Sequence, residues 1–375
     1  MEDAVFLNHG SFGACPIAVM REQDRIRNEM EAQPDRFFTQ RIVPREHETA
    51  LRTVANALGA FVGVSGDSIA LIENATAGTQ SVLDSIAFKA GEQILITNHA
   101  YNAVRLAVET RCAETGATPI VVDIPLRTDP ADVRRRIGDA TTAKVRLAIV
   151  DHITSPTALL FPVAEIIADL HDRAVPVLID GAHALGQIPL DLGALQPDWY
   201  VSNAHKWLYA PKGSAFMYAA PQVSGMTRPA VVSHFIGLGF PRAFDYVGTR
   251  DYSGWLAIPA AMAFMRDLGM AKLWGHNREL LERSTGLLHT LGAEPIASME
   301  MSAAMRTFVL PQSREAQEDD GNVLTDALWN EERVQARAMT GFGRLLLRIS
   351  AQAYVDDADL VRLTAVLAQR GWPGR

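Results

Sequence analysis

The stretch Ala174-Val175-Pro176-Val177-Leu178-Ile179-Asp180-Gly181-Ala182-His183 decides the fold. Its apolar run lies between Pro176 and Gly181, the pattern of a short strand buried on both faces of a parallel sheet. Asp180 stands at the carboxyl end of that strand, and open α/β sheets bind their ligands outside those ends. An isolated Asp-Gly is more simply the cap of a following helix. Downstream, Val201-Ser202-Asn203-Ala204-His205-Lys206-Trp207-Leu208-Tyr209-Ala210-Pro211-Lys212-Gly213 sets a lysine among aromatic and polar residues. Burial and a neighbouring cation lower a lysine's pKa and free its nucleophilic amine near neutral pH. A lysine snorkelling past a core tryptophan is the plainer account of such a pair.

Taken together, the strand-end acid and the lysine favour catalysis over either plain account. Lys206 has the setting for a Schiff base. Asp180 has the setting to keep a pyridinium nitrogen protonated, which makes pyridoxal phosphate an electron sink.

Outward from this pair, strand-like runs alternate with amphipathic helical patterns. Strands are predicted at Ser68–Ile72, Gln93–Thr97, Thr118–Val122, Val145–Asp151, Val175–Asp180, Trp199–Val201 and Ser214–Tyr218. Helices are predicted at Asn102–Glu114, Pro130–Ile137 and Val163–Arg173. That alternation predicts an α/β fold with a mostly parallel central sheet sandwiched by helices. From about residue 252 the texture becomes helix-rich, then closes with strands at Thr307–Leu310 and Arg344–Ser350, which suits a smaller α+β C-terminal domain. The expected division is an extended N-terminal arm over 1–20 with a turn at Gly10-Ser11-Phe12-Gly13, contributing to the active site or small domain, a large domain over 21–250 and a small domain over 251–375. Ser313–Asn322 has the polar composition of an exposed loop.

Composition narrows the function classes. The chain has 375 residues, 48% hydrophobic and 21% charged, with a formal net charge of −8. The acidic balance argues against a nucleic-acid partner, which wants a basic stripe. No apolar run reaches the roughly 20 residues a bilayer requires, and the N-terminus lacks a signal-peptide pattern. Two cysteines, Cys15 and Cys112, provide no disulfide framework or cysteine-rich metal site. A cytoplasmic location and a small-molecule substrate are expected.

Asp180-Gly181-Ala182-His183, the segment from Asn203 to Gly213, and Gly248-Thr249-Arg250-Asp251 resemble the class V, fold-type I pyridoxal-phosphate enzymes. The isopenicillin N epimerase-like branch is the closest flavour. The resemblance runs from Phe6-Leu7-Asn8-His9-Gly10-Ser11-Phe12-Gly13 to Arg348-Ile349-Ser350-Ala351-Gln352-Ala353-Tyr354. It implies the fold-type I transferase fold, the cofactor pyridoxal 5'-phosphate, and a homodimer with its active site at the interface.

The resemblance also assigns roles. Asn74-Ala75-Thr76-Ala77-Gly78-Thr79 follows a strand and opens a helix, a weak anion-site signal alone; in the family this turn holds the cofactor phosphate, a role carried to Thr76 and Ala77. Asn203 and His205 match phosphate-binding positions, and Thr249 matches one that reaches the neighbouring subunit's phosphate. His99 matches the ring stacked over the pyridine face, with Tyr101 in reserve. Ser155 and His183 are the two candidates for the cofactor's phenolic oxygen.

Arg348 sits in an otherwise apolar predicted strand, and its planar fork suits a substrate carboxylate. Arg250 is either a second clamp or the partner of Asp251 or Asp245. His9 and Phe12 either border the substrate pocket or only pack.

The expected activity is Cα chemistry on an amino acid or amino-acid conjugate, epimerisation or transamination, with carbon–sulfur lyase chemistry as the alternative. Two readings of other classes are a catalytically retired protein and a metal hydrolase using His183 and His205. The latter spacing fits no standard ligand pattern.

Overall fold

The computed structural model describes residues 4–43, 48–312 and 314–369. A seven-stranded sheet lies at its centre. In spatial order its strands are Ile69–Ile72, Ala215–Ala219, Trp199–Asn203, Val177–Asp180, Val145–Asp151, Gln93–Thr97 and Thr118–Val122. Only Ala215–Ala219 runs against its neighbours; the other pairings are parallel. The apolar runs that predicted the inner strands are buried on both faces, the edge strand Thr118–Val122 is largely exposed, and the boundaries agree to within one or two residues. Helices Ala75–Ser85, Asn102–Thr115, Pro130–Ala140 and Val163–His171 supply the crossovers.

Among the described residues, a second sheet orders Arg337–Gly341, Arg344–Ser350, Met305–Val309 and Glu294–Pro295, all antiparallel. The N-terminal strand Val5–Phe6 pairs in parallel with Val334–Gln335, and Val5 and Leu7 join the apolar core of this smaller layer. The large core extends through Tyr252, Trp255 and Met265 to Leu273; along helix Met270–His289 the small core takes over at Leu280, while Ile296 and Met301 pack back on the large core.

Two local expectations change. The expected turn in the N-terminal arm is the single helical turn His9–Phe12, but the helix expected after residue 20 begins earlier, as Ile17–Ala32 behind Pro16. The polar patch from Ser313 to Asn322 is not all loop, because helix Asp320–Glu332 starts inside it; Ser313 itself lies outside the described residues.

A buried ion pair ties the large layer together. Arg52 Nη2 donates to Asp245 Oδ1 at 2.5 Å, and Arg52 Nη1 donates to the Ile69 carbonyl at 2.9 Å. Both side chains are almost fully buried. Removing one partner strands the other charge, so Arg52→Met is expected to cost about 3 kcal/mol. Chemical denaturation of the variant measures it; an unchanged midpoint at unchanged slope would remove the pair from the account of stability.

Candidate active site

Three strand ends and one helix start meet outside the carboxyl edge of the parallel strands. They enclose a cavity of about 220 Å³, lined by Asp151, Asp180, Asn203, His205 and Lys206 with the turn Asn74–Thr76. Lys206 is carried on the one-turn helix Ala204–Trp207, immediately after strand Trp199–Asn203. The N-terminal turn is pressed against this segment. Gly13 has φ +70°, and a Cβ there would lie 2.2 Å from the His205 carbonyl oxygen, so only glycine fits.

Burial draws the Lys206 amine down from its ordinary value to about 8; nearby Arg348 lowers it further, while Asp180 opposes. Asp180 is buried at its strand end and accepts from the Ala182 amide at 2.9 Å. Its register partner on the adjacent strand is Asp151. Burial pushes the Asp151 carboxyl far up, and the Asp180 charge adds to it. Burial raises Asp180 too, but the Ala182 amide and Lys206 draw it back towards the ionised form. Asp151 is therefore the proton-holding member of the pair.

At the helix end of the cavity the donors are partly committed. The Ala75 amide donates to Asn203 Oδ1 and the Ala77 amide to Asn74 Oδ1, both at 2.9 Å. The Ala77 amide, expected to meet the phosphate, is thus bonded to the Asn74 side chain, and Ala77 does not line the cavity. Thr76 does line it. His205 Nδ1 donates to the Ser214 carbonyl at 3.0 Å, which leaves Nε2 for a ligand. Burial holds His205 at about 4; a bound anion beside it favours the protonated form.

His99 is not brought to the cavity. It is 0% exposed, its Nδ1 pairs with Thr157 Oγ1 at 2.7 Å and its Nε2 with the Ile124 carbonyl at 3.0 Å. Two buried partners satisfy the ring where it stands. Tyr101, 46% exposed, lines the cavity instead.

His9 is also withheld: its Nδ1 pairs with the Tyr354 hydroxyl at 2.8 Å and its Nε2 donates to the Lys206 carbonyl at 2.9 Å. It braces the lysine's backbone, while its neighbours Ser11 and Phe12 reach the cavity. Arg250 is paired with Glu73, rather than with Asp251 or Asp245, and lies 4.5 Å over the Trp255 ring. Thr249 is exposed and bonds Tyr246 within the chain at 3.1 Å.

Arg348 stands behind the wall. Its guanidinium donates to the Ser155 carbonyl, to Ser11 Oγ at 2.9 Å and to Asn8 Oδ1 at 3.2 Å. These acceptors are all neutral, and Nε has no partner among the described residues. His183 lines the cavity with Nε2 3.1 Å from Lys206 Nζ. Ser155 lines it as well.

Ser11, Asn74 and Asp151 were not singled out from the sequence as site residues. Asp151 had a usable signal, an acid at the end of a buried strand directly before His152, like Asp180 before Gly181. Among the described residues no group of three or more His, Cys, Asp or Glu is arranged to hold a metal ion. No helix there is long and apolar enough to cross a membrane.

Comparison with known proteins accords with this geometry. The chain is 31% identical to a putative L-cysteine desulfhydrase 1 of Oryza sativa subsp. japonica, over 95% of this chain and 81% of that one. It is 30% identical to isopenicillin N epimerase of Streptomyces clavuligerus, over 97% and 94%. The solved complex of the cystine C–S lyase C-DES with its product cysteine persulfide superposes with a TM-score of 0.82 at 21% identity, covering 98% of each chain. The family model for aminotransferase class-V matches residues 13–327. A lysine on the strand-end turn, an acid on the neighbouring strand and a match over most of the sequence place this chain in the aminotransferase class-V family.

Proposed function

We propose that this protein is a pyridoxal-phosphate-dependent enzyme acting at the Cα of an amino acid or amino-acid conjugate, as an epimerase or aminotransferase of the isopenicillin N epimerase-like branch. One observation carries the reading: a buried amine, a buried strand-end carboxylate, the His205 imidazole and the helix-start residue Thr76 share one cavity.

That donor set fits the cofactor. Thr76, Asn203 and His205 would hold its phosphate, Asp180 its ring nitrogen, Tyr101 its ring face, and Ser155 or His183 its phenolic oxygen. When bound, pyridoxal phosphate supplies a sink for the electron pair left on Cα. The chain's residues do the rest. Lys206 would anchor the cofactor and, as a free amine beside Cα, would take and return the Cα proton. Asp180 would keep a proton on the ring nitrogen. Arg348, bonded only to neutral oxygens, is poised to exchange Ser11 and Asn8 for a substrate carboxylate.

A homodimer completes the proposal. Phe12, at 73% exposed, and Tyr101 stand at the cavity mouth, and Ile17, Val231, Val232 and Leu238 are exposed apolar side chains. A second copy would cover such surface and bring its Thr249 to the phosphate. The three-part division at residues 20 and 250 belongs to the same reading, with the helices between 253 and 268 packing on the large core. So does a cytoplasmic location.

Carbon–sulfur lyase activity is the second reading, favoured by the relative named as a desulfhydrase. A persulfide relay has little support, because Cys112 is buried in a helix and Cys15 does not line the cavity.

The test is a visible spectrum of the purified protein, then amino acids added one at a time. A cofactor band that bleaches with borohydride and shifts with a substrate supports the reading. Stereoinversion, keto-acid formation and sulfide release then separate the three activities. A protein that stays colourless after pyridoxal phosphate is added would overturn it in favour of a retired family member.

A further inference from the structure

Trp207 follows Lys206 directly on the same helical turn, and its indole nitrogen reaches the His183 ring. Trp207 Nε1 donates to His183 Nδ1 at 3.3 Å, and His183 Nε2 lies 3.1 Å from Lys206 Nζ. We propose that Trp207 is a positioning residue: it fixes the proton of His183 on Nε2, and His183 then presents Lys206 as an unprotonated acceptor.

The argument is one of donor inventory. An indole N–H can only donate, so Nδ1 of His183 must carry a lone pair. A neutral imidazole has one N–H, which is therefore on Nε2 and faces Lys206. A lysine ammonium has three donors and no acceptor, so it would set donor against donor there. The neutral amine alone completes the chain from Trp207 N–H to His183 and from His183 N–H to Lys206 Nζ.

The indole is held in place. Trp207 is 1% exposed and packs with Ile153, Ala158, Ala304 and Met305 at the junction of the two layers. The His9 ring lies 4.9 Å from it, centroid to centroid. Gly186, at φ +86°, lets the backbone close on the Trp207 carbonyl, where a Cβ would stand 2.5 Å from the oxygen. The other titratable or charged groups facing the pair are Asp180, Arg348, His205 and His9. Of these, Asp180 favours the ammonium, so the relay from Trp207 opposes it. Burial, which holds His183 well below its ordinary range, acts in the same direction as the relay.

The proposal rests on Lys206 being the nucleophile, but its test uses protein stripped of cofactor. Long-range proton–nitrogen correlation on protein labelled with ¹⁵N-histidine reads the tautomer directly, with His183 identified by the signal lost in His183→Gln. The Nε2–H pattern is expected; the Nδ1–H pattern would overturn the proposal.

Separately, carbamylation of Lys206 by cyanate is followed against pH by peptide mass. Trp207→Phe removes the donor, and His183→Gln places an amide there that can turn either way. Each is expected to raise the proton affinity of Lys206 roughly tenfold, moving the profile to higher pH. Profiles unmoved in the variants that fold would refute the relay. If Trp207→Phe does not fold, His183→Gln and the wild-type tautomer decide. A protein that never takes up pyridoxal phosphate yet shows the tautomer and the shift would remove the functional reading and keep the relay.

Discussion

Lys206→Ala is expected to purify without the cofactor's visible band and to lose activity by roughly 10³-fold or more. Two functions end together in this variant. The amine proposed to anchor the cofactor is gone, and so is the base proposed to remove the Cα proton. Proton transfer by a positioned side chain contributes roughly 10²–10⁴-fold by itself, which sets the lower bound of the loss. Cavity shape should survive, because the backbone around residue 206 is held by the His9 bond to its carbonyl and by the His205 amide bonded to the Ser214 carbonyl. Added pyridoxal phosphate should therefore still bind, reversibly and without bleaching by borohydride in a way that labels the chain. If the variant keeps a reducible covalent band and most of its turnover, another amine is at work. Lys212, exposed and bonded to the Gly13 carbonyl at 3.1 Å, would be the first to examine.

Asp180→Ala is expected to lower kcat by roughly 10²–10³-fold, the loss typical of removing one preorganised electrostatic partner. The effect should show in kcat more than in KM, because the proton on the ring nitrogen matters most as charge develops on Cα. Asp151 complicates the reading usefully. With Asp180 gone, the like charge that helps keep Asp151 protonated disappears, so Asp151 ionises more readily and can take over part of the role. The double variant Asp180→Ala with Asp151→Asn should then fall below Asp180→Ala alone. Steady-state kinetics on the three proteins measure this. Activity within a few-fold of wild type in Asp180→Ala would return Asp180 to the plain account, a carboxylate capping the Ala182 amide.

Much of the fold was legible because its strands are short apolar runs closed by Gly, Pro or an acid. Such runs leave little choice of partner when both faces must be covered. Lys206 and Asp180 were legible for a related reason: each follows directly from a buried strand, so its place at the carboxyl edge is a local matter. The side chains that reach in from loops were harder. His99 and Tyr101 lie two residues apart in one segment, and nothing local says which ring turns to the cavity. The Thr157 hydroxyl and the Ile124 carbonyl, far along the chain, hold His99 away. Arg250 was legible as a cation seeking a partner, but Glu73, its actual partner, lies on the far side of the large domain's sequence. Ser11 was missed because its importance depends on Arg348, which meets it only after the N-terminal turn docks on the small layer.

The sequence by itself determined the parallel sheet, the family, and the acid and lysine at the carboxyl edge on which the proposed chemistry rests, since apolar periodicity and residue type act locally. Only the tertiary structure decided which ring faces the cavity, which amides at the helix start are already spent, and where the proton sits on His183. Those outcomes depend on hydrogen-bond partners brought together from distant parts of the chain. Each buried donor and acceptor must find a partner, and packing selects which one it finds.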